Sequence, residues 1–235
     1  MKKSNFKKLA MLAAAFLTTG FLAKAQEVEV SAGGDMVSSY IWRGQYLGGV
    51  SIQPGASVSV SGFSLAAWGS VGYDNSDTKE FDFTIGYGTG GFSVAITDYW
   101  FNTPNANGDI NNYFDYAAHT TAHVFEATVG YDFGPAAIVW NTNFAGTDYK
   151  AGGDRAYSTY IEASAPFKLG GFDLKAEAGM TPWEGIYSNK FNIVNIGLTV
   201  GKEIRITESF ALPAFTKITF NPYAEKCYFV FGVSL

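Results

Sequence analysis

The chain holds one cysteine, Cys227, in 235 residues, so no disulfide can form within it. An exported protein of this size without one must draw its stability from a large core or a closed sheet. Proline is sparse, with seven residues, and histidine is limited to two. Beyond residue 25 no stretch approaches the ~18 consecutive apolar residues of a membrane helix, so any crossing by that part must be made of strands. Positive charge is lacking too. Five of the sixteen Lys and Arg precede Gln26, which leaves eleven against twenty-one acidic residues, a net charge of −10. That deficit argues against a nucleic-acid surface and suits cations or neutral solutes.

What is present begins with a leader. Lys2, Lys3, Lys7 and Lys8 precede an apolar run from Leu9 to Leu22, followed by Ala23-Lys24-Ala25. These are the three parts of a secretory signal peptide, expected to span residues 1–25 and to be removed. No Cys follows the cleavage site, so a lipid anchor is not expected there. The remaining 26–235 carries no linker-like stretch and is expected to form one domain.

Glycine (27 residues) and aromatics (17%) dominate, and they fall on alternating positions. Phe81, Phe83, Ile85 and Tyr87 alternate with Asp82, Thr84 and Gly86, and after a glycine turn Phe92, Val94 and Ile96 resume the pattern. Val50 to Ser61 and Phe63 to Val71 alternate in the same way. Similar runs near 28–46, 121–133, 136–145, 156–167, 171–180, 190–200, 203–219 and 226–235 bring the count to about twelve strands. Tight turns are predicted at Ser61-Gly62, Thr89-Gly90-Gly91, Phe133-Gly134-Pro135, Leu169-Gly170-Gly171 and Gly201-Lys202. Longer polar links separate them, the longest being residues 101–120.

Short turns on one rim and long loops on the other describe an all-β transmembrane antiparallel β-barrel of the bacterial outer membrane. Closure pairs every backbone group, which lets the apolar face meet lipid. The last strand, with Cys227, Phe229, Phe231, Val233 and Leu235 on one face, has the pattern by which the barrel assembly machinery would receive it. Tyr73, Tyr87, Tyr99, Trp100, Tyr131, Trp140 and Trp183 lie near strand ends, where an interfacial girdle is expected. Trp68 has the opposite parity and is expected to point inward.

Tyr40-Ile41-Trp42-Arg43-Gly44, followed by "GVSIQPGASVSVSGFSLAAWGS" and "KEFDFTIGY", resembles the TorF-like porins of Gram-negative bacteria. The closing segment "LPAFTKITFNPYAEKCYFVFGVSL" is similar to the end of uncharacterised outer-membrane barrel proteins. The resemblance implies a barrel in the outer membrane and carries over no catalytic or binding residue.

Alternation turns Asp82, Glu126, Glu162, Asp173, Lys175, Glu177 and Lys226 toward the lumen. There they would either form a constriction that prefers cations or pair into a network that plugs a narrow barrel. The parity of residues 40–43 leaves Arg43 facing either the lumen or the rim. His119 and His123 share a strand face but stand about 13 Å apart if extended, too far for one metal ion. Asn105, Asn107, Asp109 and Asn111 offer oxygens without the Gly and Glu positions of a calcium loop. No Gly-x-Ser-x-Gly element is present. The expectation is a passive channel for small, cationic or neutral solutes, with no cofactor, metal or catalytic residue. The alternatives are a plugged structural or binding barrel, or a barrel enzyme acting on lipid or surface polymer. Its expected partners are outer-membrane lipid, the assembly machinery and solutes, with no nucleic acid.

Overall fold

The computed structural model describes residues 28–102 and 111–235. The leader and positions 105, 107 and 109 of the longest loop lie outside the described residues. The strands are β1 (Glu29–Val37), β2 (Tyr40–Trp42), β3 (Gln45–Gly48), β4 (Ser51–Val60), β5 (Phe63–Gly72), β6 (Glu80–Thr89) and β7 (Phe92–Phe101). They continue as β8 (His123–Asp132), β9 (Ala137–Gly146), β10 (Thr159–Leu169), β11 (Phe172–Thr181), β12 (Asn192–Arg205), β13 (Ala211–Asn221) and β14 (Lys226–Ser234). Twelve of them close into one antiparallel barrel, β1-β14-β13-β12-β11-β10-β9-β8-β7-β6-β5-β4, while β2 and β3 pair only with each other.

Alternation sets the two faces. Phe81, Phe83, Ile85, Phe92, Ile96 and Leu65 are exposed on the outer wall, whereas Asp82, Ser64, Thr97 and Glu126 are buried inside. This inverts the pattern of a protein with an apolar core and suits a ring whose outer surface is greasy. Strands of nine or more residues match what a tilted strand needs to cross a hydrocarbon layer.

The tight turns fall as predicted at Ser61-Gly62, Gly90-Gly91 and Gly170-Gly171, all in the left-handed region, and around Gly134. Gly201 differs. It lies inside β12, opposite Phe215, and Phe215 also faces Gly232 across β14. A β-carbon on Gly232 would overlap the Phe215 ring, so these strand glycines flank an inward aromatic side chain. The chain therefore runs on to Arg205, and the turn occupies residues 206–210. In the barrel ladder Glu203 to Arg205 pair with Pro213 to Ala211 of β13, beyond the last pairs made by β11, at Gly201, and by β14, at Ala214, so this ribbon stands past the short-turn rim.

Closure is uneven around the ring. β1 makes nine register pairs with β4 but three with β14.

Candidate functional site

The weak strand read near residues 28–46 resolves into β1 and the β2–β3 hairpin, which folds into the long-loop mouth. Its tip is Arg43-Gly44, both left-handed, with φ of 50° and 78°. Arg43 points into the lumen and makes a forked ion pair with Glu126 of β8: Nη1 donates to Oε2 at 2.5 Å and Nη2 to Oε1 at 2.8 Å. Nη1 also donates to the Tyr187 hydroxyl at 2.6 Å. The guanidinium lies 4.2 Å from the Trp42 ring centroid and 4.9 Å from that of Tyr160. Glu126 is 1% exposed and also accepts from the Tyr99 hydroxyl at 2.9 Å. Only an arginine fork satisfies both carboxylate oxygens while stacking on aromatic rings.

Other contacts fix the hairpin around the circumference. Tyr40 donates its hydroxyl to Glu80 Oε2 of β6 at 2.8 Å, and its ring packs 5.6 Å from that of Trp68 of β5. The Gly44 carbonyl accepts from Asn221 Nδ2 of β13, and Gln45 Nε2 donates to the Ile186 carbonyl. A β-carbon on Gly44 would overlap the Val194 carbonyl of β12, so only glycine seats here. With anchors on β5, β6, β8, β12 and β13, the hairpin spans the bore. Burial alone would weaken the Arg43 charge, but the Glu126 carboxylate, with Tyr187 and Tyr99, holds its pKa well above the usual arginine value. Burial, more than any neighbour, raises the Tyr187 and Tyr40 hydroxyls, which remain neutral hydrogen-bonding groups.

A second network lies on β10–β13. Lys217 Nζ meets Glu177 at 2.5 Å, and Lys175 lies 3.4 Å from Glu177 and 3.5 Å from Glu162. Asn195 Nδ2 donates to Glu177 and to the Tyr160 hydroxyl, which itself donates to Glu162 at 2.6 Å. Glu162, Lys175 and Glu177 thus come together in one salt-bridge network with Lys217. Asp173 stands apart, paired with Lys168 and partly exposed at the short-turn rim. Lys226 is exposed at the long-loop rim. Asp82 is buried beside Glu80, away from these cations.

The girdle positions divide. Tyr87 and Tyr131 lie on the outer wall near the short-turn rim, paired with the rings of Phe63 and Phe133. Trp140 and Trp183 are exposed neighbours on the other side, and Tyr73, 91% exposed, begins a long loop. Tyr99 is a correction. Adjacent strand residues face opposite ways, so Trp100 takes the outer wall and Tyr99 turns inward to Glu126.

His119 stacks on Tyr149, whereas His123 is fully buried on the outer side of β8. His123 Nδ1 lies 2.7 Å from Asp98 Oδ1 and Nε2 lies 2.7 Å from the Tyr113 carbonyl, with the Tyr116 ring stacked on it at 4.4 Å. The two histidines do not converge, and among the described residues no cluster of three or more His, Cys, Asp or Glu suits a metal ion. The described part of the 101–120 loop is thereby folded on the barrel's outer wall, while the first long loop fills the mouth.

Sequence reading missed the parts played by Arg43, Glu80, Tyr160, Tyr187, Asn195 and Lys217. Lys217, Thr219 and Asn221 alternate with Ile218 and Phe220, a signal that places Lys217 inside. Arg43 carries only a local hint, an arginine beside Trp42 and before Gly44 in a chain poor in cations.

No curated protein matches this sequence. Residues 23–213 match the family described as bacterial protein of unknown function (Gcw_chp). That match spans most of the chain, and the protein belongs to the Gcw_chp family.

Proposed function

We propose that the protein is an outer-membrane channel of narrow bore, closed at its long-loop mouth by the β2–β3 hairpin, which passes small cationic or neutral solutes when the hairpin is displaced. The observation that carries this reading is the Arg43–Glu126 fork. It pins a hairpin that takes no part in the barrel's own ladder, so displacing the hairpin breaks side-chain contacts and leaves the ring paired. The greasy outer wall, the sorting of short turns and long loops, and the expected leader support export and a place in the outer membrane. The terminal strand β14 would then serve the assembly machinery. The resemblance to TorF-like porins points the same way. In this orientation the short turns face the periplasm.

A second reading, a permanently plugged structural or binding barrel, draws on the close seating of Gly44 against Val194. Single-channel recording from the refolded protein in a planar bilayer separates the two. The expected result is small or rare steps from the wild type and larger, frequent steps from the Arg43→Gln/Glu126→Gln double variant. That variant removes both charges together and leaves neither buried alone. Silence from both, with each barrel folded, would remove the channel reading and leave the plug.

A further inference from the structure

The outer face of β7 carries a charge among apolar side chains. Phe92, Ile96 and Trp100 share that face with Asp98, and His123, opposite Trp100 in the ladder, meets the carboxylate. His123 Nδ1 lies 2.7 Å from Asp98 Oδ1, and Nε2 lies 2.7 Å from the Tyr113 carbonyl oxygen of the long loop. The imidazole is fully buried, with the Tyr116 ring stacked on it at 4.4 Å and the Tyr113 ring set edge-on at 5.1 Å. Tyr113 also packs edge-on against Trp100 at 5.2 Å.

A carbonyl oxygen only accepts, so the Tyr113 bond requires a hydrogen on Nε2. The Asp98 bond requires another, carried by Nδ1 or by the carboxyl. Wherever that second proton sits, the pair holds one more than a neutral imidazole and a carboxylate have between them. Without it, a bare ring nitrogen faces the carbonyl or the carboxylate, lone pair against lone pair. The titratable side chains facing the ring are Asp98 from β7 and Tyr113 and Tyr116 from the loop. Asp115 accepts from the Ala117 amide and His119 stacks on Tyr149, while in the β9–β10 link Asp148 is closed on Ser158 and Arg155 on Tyr149.

We propose that His123 and Asp98 form a proton-dependent clasp that holds residues 111–121 on the outer wall and releases them as pH rises. The docked state binds one proton more than the released state, so acid favours docking and alkali undoes it. Closed, the clasp neutralises Asp98 under tyrosine rings; open, it returns an ionised carboxylate to water. It sits on the outer wall and works whether or not the lumen conducts.

The test places a spin label on Phe114→Cys in a Cys227→Ser background, both positions being exposed. Its mobility is followed in the refolded protein in detergent from about pH 5 to about pH 9, below the range in which tyrosine hydroxyls ionise. Nitrogen-15 shifts of the two imidazoles are read in parallel, and His119→Gln assigns them. The expected result is a mobile fraction that grows about fivefold or more toward the alkaline end, with one midpoint shared by the label and the His123 ring. In Asp98→Asn the amide can donate to a bare Nδ1 while Nε2 still donates to the Tyr113 carbonyl, so a neutral ring makes both bonds. The label is therefore expected to stay immobile across the whole scan in that variant, whose folding is checked by the gel mobility of the unheated protein. A histidine with a purely structural part would instead lose docking in Asp98→Asn at every pH. Wild-type label mobility that ignores pH, His123 shifts that do not change with it, or a transition unchanged in Asp98→Asn overturns the proposal. The two wild-type readouts can do so alone, whatever the folding of the variant.

Discussion

Gly44 decides whether the mouth closes. Its φ of 78° is a region that side chains rarely adopt, and a β-carbon would strike Val194. Gly44→Ala is therefore expected to weaken hairpin seating by about 1–3 kcal/mol. Arg43 reports this directly, because it is a trypsin site that the folded protein hides. Trypsin is expected to leave wild-type residue 43 uncut and to cleave after it in Gly44→Ala; equal resistance would show that the tip is seated by other contacts. Glu177 illustrates the limits of reading parity alone. It is buried as alternation expects of an inner position, but its charge is offset there by Lys217 and Lys175, a pairing that parity does not reveal.

At the scale of elements, the unequal seam of β1 has a measurable outcome. From Val30 to Gly33 this strand pairs with β4 on one side and lacks β14 on the other. Amides there that do not bond to β4 are expected to exchange with deuterium much faster than those of β12 and β13, whose ladder has ten pairs. Uniform protection would mean that something else covers the edge. The barrel strands were legible in the sequence because alternation is written residue by residue: Val50 to Ser61 and Phe63 to Val71 fall almost on β4 and β5. The inward hairpin was not, because Arg43 and Glu126 are 83 residues apart and only the closed ring makes them neighbours. Gly201 misled for a related reason, since its purpose lies in Phe215 on the next strand. Tyr99 was readable, as Phe92, Val94 and Ile96 had already assigned even positions of β7 to the outer wall.

At the scale of the molecule, the ring and its stopper are separate structures. The barrel order omits β2 and β3, so the ladder does not depend on them. Replacing residues 40–48 by a short Gly-Ser link is expected to preserve the β-sheet circular dichroism and the faster gel mobility of the unheated barrel. The lumen, once opened to water, would hydrate Glu126. Loss of both signatures would make the hairpin part of the folding core.

The stopper is encoded between the first two barrel strands, yet its seat is built from Glu126, Tyr160, Tyr187 and Val194, which come far later in the chain. A ring still missing β8 to β12 offers Arg43 nowhere to dock. Retreat of the hairpin from proteases thus marks the moment at which the far wall arrives, and a half-assembled barrel is distinguished from a finished one by its own first loop.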